Sequence, residues 1–289
     1  MAQAASNIAE HPFLLSARAG DCFCIYRMPA DRPPAGSILH VPAFGDELNK
    51  ARAMTARAAR AFAALGYGVL QIDLFGCGDS AGEHREGTLS VWAANLDDAI
   101  DWLVARGASS PPLLWALRTG ALLVPSLLSG KARDAPLILW QPVVSGAQYL
   151  THLLRQKTVS DMDDAGARIG TGALRARLAA GETLEIGGYA ISPTLAVEMD
   201  KVEFGVPAGY RGRIDWFEVV NSAPAALPPA ASSRSNALRD ADVRVECHAV
   251  SGPGFWQSVE IERCDALVEA SANVLSRRES DARRDSVAV

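Results

Sequence analysis

Histidine is scarce in this chain, with five in 289 residues. None falls in H-E-x-x-H or another zinc-ligand spacing, so no metal site is expected. The five cysteines (Cys22, Cys24, Cys77, Cys247 and Cys264) are odd in number and scattered. That excludes a disulfide framework and fits free thiols in a reducing cytoplasm. There is no run of ~18 apolar residues to enter a membrane; the densest, Pro136 to Val144, is strand-sized. The opening MAQAASNIAEHPF has neither a positive region nor an apolar stretch, so no signal peptide is expected. No long basic block occurs and the formal net charge is -5, which disfavours nucleic acid as the main partner. No internal repeat is evident, and no cofactor is expected.

What is present suits a globular domain with a large core. Hydrophobic residues make up 49% and charged residues 21%. Phe13 to Ala17 and Cys22 to Met28 flank Ala19-Gly20-Asp21, a hairpin signal. Ser37 to Val41 reads as a buried strand, Glu47 to Leu65 as an alanine-rich helix ending at Gly66, and Tyr67 to Leu74 as the next strand. Leu89, Trp92, Leu96, Ile100 and Leu103 give the following stretch helical spacing. A strand at Leu113 to Leu117 turns sharply into a helix running from Thr119 to about Leu128, and Ala135 to Trp140 is another buried strand. The pattern then changes. From Ser145 to about Val206 it is polar and helical with glycine interruptions, an insertion into the core. Strands return at Arg213 to Val220 and Val243 to Val250, with a short helix near Ser233 to Arg239 between them. A last helix is expected over Gln257 to Ser276, and then a charged tail with little to bury. Alternating strands and helices imply a mainly parallel sheet covered on both faces, with functional residues at the carboxyl ends of its strands.

Two motifs arrive in a telling order. Asp73-Leu-Phe-Gly-Cys-Gly-Asp-Ser80 resembles the D-x-x-G-x-G-x-S loop after the fourth strand of α/β-hydrolases. About forty residues later, after one helix, Ala116-Leu117-Arg118-Thr119-Gly120 resembles their nucleophile elbow, G-x-S-x-G. His40 to Arg52, the Trp-Ala-Leu-Arg-Thr-Gly elbow, Leu139 to Gly146 and Gly252-Pro-Gly-Phe-Trp256 are similar to one subgroup. It is the second family of exosortase A system-associated hydrolases, found with bacterial exopolysaccharide and PEP-CTERM protein-sorting systems. The resemblance spans residues 12–276. It implies an α/β-hydrolase core over residues 12–145 and 209–276 with a helical cap insertion over 146–208, while the charged composition of 277–289 leads to the expectation of a disordered tail.

The catalytic positions that the resemblance implies hold the wrong residues. Arg118 stands at the nucleophile position, and a guanidinium is not a nucleophile. The acid positions hold Gln141 and Asn221, neither of them a carboxylate. The histidine loop reads Ser251 to Trp256 with no histidine, and His248 lies a few residues early, within the strand. Ser80 and Cys77 are candidate nucleophiles, set against a turn hydroxyl and a buried thiol that does no chemistry. Arg118 needs an anion. Glu47, or less favourably Asp46, is expected to pair with it in a bidentate fork; otherwise Arg118 is free for a carboxylate or phosphate of a ligand. Asp46 is also expected to cap the helix that follows. Phe44 and Gly45 occupy the place of an oxyanion-hole N–H, a backbone function that could survive the side-chain changes. Asn49, Lys50, Thr119, Gln141, Arg155 and Trp256 complete the expected pocket.

Two functions therefore stand open. One is a hydrolase or acyltransferase-like enzyme with an unconventional site, in an exopolysaccharide or protein-sorting system. The other is an inactive α/β-hydrolase fold that binds a small anionic molecule or a protein partner; a small acyl molecule is the partner expected of the first.

Overall fold

The computed structural model describes residues 7–108, 111–160, 169–221, 226–258 and 260–287, without the side chains of 160 and 279–287. Strands β1 (Ile8–Ala17) and β2 (Gly20–Pro29) form the expected hairpin, and β2 continues antiparallel onto β4 (Tyr67–Ile72). From there the sheet is parallel, through β3 (Gly36–Val41), β5 (Leu113–Leu117) and β6 (Leu137–Trp140) to the later strands β9 (Arg213–Val220) and β10 (Arg244–Ser251). The order is β1-β2-β4-β3-β5-β6-β9-β10.

Strands β5 and β6 are buried along their whole length, as their unbroken apolar runs require of strands covered on both faces. Trp115 and Trp140 meet edge to face at 4.8 Å between them. Helix α1 (Asp46–Ala64) lays Leu48, Ala51, Met54, Ala58 and Phe62 against the sheet, and its alanines let it approach closely. It ends where Gly66 takes a φ of 109°, a conformation suited to glycine. Helix α2 (Leu89–Ala105) starts where the Thr88 hydroxyl accepts the Val91 N–H at 3.1 Å, and buries Trp92, Leu96, Ile100 and Leu103. After β5 the chain tightens into a 3₁₀ turn over Arg118–Leu122 before α3 (Val124–Ser129), so the expected helix from Thr119 is delayed by one tight turn.

Between β6 and β9 lies the insertion. It holds α4 (Gly146–Ser160), α5 (Thr171–Ala179) and α6 (Pro193–Lys201). It also holds a small hairpin, β7 (Leu184–Ile186) with β8 (Tyr189–Ile191). The hairpin corrects the expectation of an all-helical cap. Its strands are too short to show a period of two, and Gly187-Gly188, at φ 59° and 83°, are its turn.

Helix α7 (Pro229–Asp240) precedes β10, and α8 (Asp265–Val287) closes the fold. Helix α8 starts eight residues later than Gln257 and continues past Ser276 into the stretch expected to be a disordered tail. Arg278 there reaches back to the buried Asp215 of β9, which gives that stretch something to hold. Among the described residues, no helix is long and apolar enough to cross a membrane.

Candidate functional site

The turn after β5 keeps the geometry of a nucleophile elbow. Arg118 sits at φ 50°, in the left-handed region that costs a non-glycine residue about 1–3 kcal/mol unless its surroundings fix it. Gly120 makes the turn possible: a Cβ there would stand 2.3 Å from the Val41 carbonyl oxygen and 2.7 Å from that of Pro42. Ala116, fully buried, keeps the strand side of the turn small.

The Arg118 side chain is fixed on three sides. Its Nε and Nη2 donate to Glu47 Oε1 at 3.0 and 2.8 Å, and its Nη1 donates to the Gln141 carbonyl at 3.1 Å. The guanidinium also lies 5.2 Å from the centre of the Trp256 ring, within cation–π range. The ion pair is the one expected with Glu47, but both nitrogens share a single oxygen and do not form a two-oxygen fork. Asp46 is not the partner: it holds Lys50 at 2.6 Å, one helical turn on. Nor does Asp46 cap α1, since Gly45 occupies that position at φ 67° and no side chain caps it. Gln141 is itself at φ 45°, and its Oε1 accepts the Val219 N–H at 2.6 Å. The residue at the first acid position is thus a brace between β6 and β9.

One of the two backbone N–H groups that this fold offers an oxyanion, that of Phe44, is not free. The Phe44 N–H donates to Thr119 Oγ1 at 3.0 Å, and Thr119 is fully buried. The side chain following the elbow arginine has turned inward and taken the hydrogen bond that an oxyanion would need.

A cavity of about 210 Å³ lies over this turn, where the carboxyl ends of β3 and β5 meet the insertion. Phe44, Gly45, Glu47, Lys50, Arg118 and Trp256 line it, as expected. Four expected residues stay out of its lining. Thr119 and Gln141 are turned to the backbone bonds just described. Asn49 faces the neighbouring hollow beside Cys77, where its amide holds the Tyr189 hydroxyl. Arg155 is exposed and lies off the face of α4 that meets the cavity. The phase was the error: Tyr149, His152, Leu153 and Gln156, spaced i, i+3, i+4, i+7, form the face of α4 that lines the cavity. That spacing was a usable signal. Ile186, Tyr189 and Ile191 of the hairpin supply the rest of the roof, and nothing in a three-residue strand announces that role. Burial, and then the charge of Glu47, hold the Tyr149 hydroxyl well above its ordinary pKa, so it stays a neutral phenol.

The alternative nucleophiles are occupied elsewhere. Ser80 Oγ donates to the Asp73 carbonyl at 2.6 Å and accepts the Phe23 N–H at 2.8 Å, pinning its loop to β2. Burial pushes the Cys77 thiol up to about 12, far from a thiolate. His248 lies on β10, stacked on Phe217 at 4.4 Å, with Nε2 3.4 Å from Asp215. Asp215, Glu246 and His248 stand close enough to share a metal ion. Arg278 and Arg213 already hold the Asp215 carboxylate, however, so two cations occupy that ground. Two buried acids of β9, Asp215 and Glu218, escaped notice in the sequence. Glu218 follows Ile214 and Trp216 on one face of β9 and takes the Trp216 Nε1–H at 2.7 Å. Burial raises its pKa.

No family model matches this sequence, and no curated relative does. Solved structures do. Est1E from Butyrivibrio proteoclasticus, solved with ferulic acid bound, superposes with a TM-score of 0.62 at 13% identity, over 93% of this chain and 98% of that one. Mouse alpha/beta hydrolase domain-containing protein 10 gives 0.55 at 13% identity, over 95% and 99%. A predicted CIB-like hydrolase from Thermoplasma acidophilum gives 0.51 at 16%, over 94% and 100%. The chain has the α/β-hydrolase fold. In this α/β-hydrolase fold the elbow, the loop after β3 and the loop after β10 converge as the fold requires, but the residues they bring are an arginine, a filled N–H and a tryptophan.

Proposed function

We propose that this chain is a binding protein on an α/β-hydrolase fold, which holds a small acyl-bearing molecule between the Arg118–Glu47 pair and the β7–β8 hairpin and does not perform serine-based acyl transfer. One observation carries the proposal: Arg118 holds the strained elbow position and is locked there by Glu47, Gln141 and Trp256. Strain of that kind is retained where the surrounding structure fixes it. The cavity is near electrical balance, with Arg118 against Glu47 and Lys50 against Asp46. A full negative charge on the ligand would compete with Glu47, whereas an ester, thioester or amide carbonyl can accept from the remaining guanidinium hydrogens. Phe44, Tyr149 and Trp256 offer apolar and aromatic surface for the rest of the molecule.

The resemblance of its motifs to exosortase A system-associated hydrolases supports placing this function in an exopolysaccharide or protein-sorting system, with an acylated saccharide or a protein component as its natural partner. The test has two arms. A fluorophosphonate probe and a panel of p-nitrophenyl and acyl-CoA esters should give neither labelling nor turnover. Native mass spectrometry of the purified protein should show an adduct that Trp256→Ala loses. Turnover that disappears with a serine substitution would overturn the proposal.

A further inference from the structure

A second cavity, also of about 210 Å³, lies between α1 and strands β2, β3 and β4, and shares no lining residue with the Arg118 pocket. A guanidinium stands in its wall. Arg27 is only 2% exposed although it carries a permanent charge. Its Nε donates to Glu10 at 3.0 Å and its Nη1 to Gln71 Oε1, while Nη2 has no partner among the described residues. Glu10 is not its alone, because Arg60 donates to the same carboxylate at 2.7 Å. Two guanidiniums therefore share one carboxylate, and a positive charge is left over beside the cavity.

The other polar groups of the wall point the same way. Asp73 cannot supply the missing charge, since its Oδ2 already accepts Arg52 Nη2 at 2.9 Å and the Asp79 N–H at 3.0 Å. Gln71, having spent its oxygen on Arg27, has its amide hydrogens left to donate. His40 is 3% exposed and its Nε2 has no partner among the described residues. Burial, then the charge of Arg27, lower its pKa to about 3, so it adds no charge of its own. Ile25 and Ile72 supply apolar wall. The cavity thus has one uncompensated positive charge, an excess of donors and a hydrocarbon side.

We propose that this cavity binds a short-chain monocarboxylate, its carboxylate on Arg27 Nη2 and its hydrocarbon against Ile25 and Ile72. A doubly charged phosphate would bring more charge than the site offsets, and chloride would leave the apolar wall unused.

The probe is butyrate, followed by saturation-transfer NMR on the whole chain. Binding should be saturable. Arg27→Lys keeps the charge and removes the fork, so affinity should fall about tenfold, the scale of one hydrogen bond to a charged group. Ala56→Phe fills the cavity from α1 without touching any Arg27 contact, and should abolish binding. Leu153→Trp narrows the Arg118 pocket and should leave butyrate binding unchanged. Circular dichroism checks folding, and Ala56→Phe decides the matter if Arg27→Lys does not fold. No saturable response, binding that survives Ala56→Phe, loss in Leu153→Trp, or displacement by equal chloride would each overturn the proposal. These outcomes are independent of whether the Arg118 pocket holds an acyl ligand.

Discussion

Thr119 Oγ1 lies 3.0 Å from the Phe44 nitrogen and accepts its hydrogen, across 75 residues of chain. In an acyl-transfer enzyme, an N–H at this corner must stay unsatisfied in the resting protein so that it can meet a developing oxyanion. Here it is satisfied and buried. The two residues after β5 therefore act together: Arg118 removes the nucleophile and Thr119 occupies one of the N–H groups that an oxyanion would use.

Restoring a serine should accordingly restore nothing. Arg118→Ser, and Arg118→Ser with Thr119→Ala, are expected to show no p-nitrophenyl ester turnover above buffer. Neither has a histidine on the loop after β10 to act as base, and in the first the Phe44 N–H is still held by Thr119. Stability should fall in both, because Glu47 keeps a largely buried carboxylate without its cation. A double-mutant cycle with Glu47→Gln should return a coupling of about 1–3 kcal/mol in urea melts. Zero coupling would mean that the pair is incidental.

Much of this was legible in the sequence, and the remainder fails for physical reasons. Arg118, Glu47 and Trp256 come together because the strand order fixes which loops meet at the carboxyl ends, and the resemblance of the motifs to α/β-hydrolases implies that order. Tyr149 and His152 were missed for Arg155 because a helical face shifts by 100° per residue, and a one-residue error in phase moves a side chain out of the pocket. Thr119 was placed on the right turn with the wrong role. No pattern in one sequence says that a threonine hydroxyl will meet a backbone N–H 75 positions away. Glu218 was hidden because a carboxyl in an apolar strand resembles an ordinary solvent-facing position until the sheet is covered.

His40 gives the fold an acid sensitivity. Its folded pKa, about 3, lies below the value near 6.5 of an unfolded histidine, because burial penalises the charged ring. The unfolded chain therefore takes up a proton that the folded chain refuses. Stability from this residue is intact above about pH 6.5 and is lost as pH falls towards 3. By pH 4.5 the loss should reach about 2–3 kcal/mol. Urea titrations at several pH values should show a shallower slope in His40→Leu over this window, and an unchanged slope would refute the assignment.

The thiols should divide one against four. All five are free, with Cys247 half-exposed and the others buried. Burial raises Cys22 to about 11 and Cys77 to about 12, and also raises Cys24 and Cys264. Ellman's reagent should titrate one thiol in the folded protein and all five in guanidinium. Loss of the native reaction in Cys247→Ser would identify it, whereas rapid modification of Cys77 would reopen its candidacy as a nucleophile.

The end of α8 should prove structural. Asp215 is fully buried on β9, and Arg278 meets its Oδ2, beyond the point where the sequence suggests a tail with nothing to bury. Burial alone would raise the Asp215 pKa, but the His248 hydrogen bond and the Arg278 charge hold it below the ordinary carboxylate range. A depressed folded pKa means stability present above the unfolded value near 3.9 and lost as pH falls through the folded one. Ending the chain after Ser276 removes Arg278 but leaves Arg213 at 3.2 Å and His248 at 3.4 Å. The cost at pH 7 should therefore be about 2 kcal/mol, short of the full penalty for stranding a buried charge. Arg278→Met should reproduce most of it, Asp215→Asn should remove most of the difference between long and short chains, and the difference should shrink below about pH 4 as the carboxylate protonates. A truncated chain that melts with the full one at pH 7 would show that Asp215 is served by β9 and β10 alone.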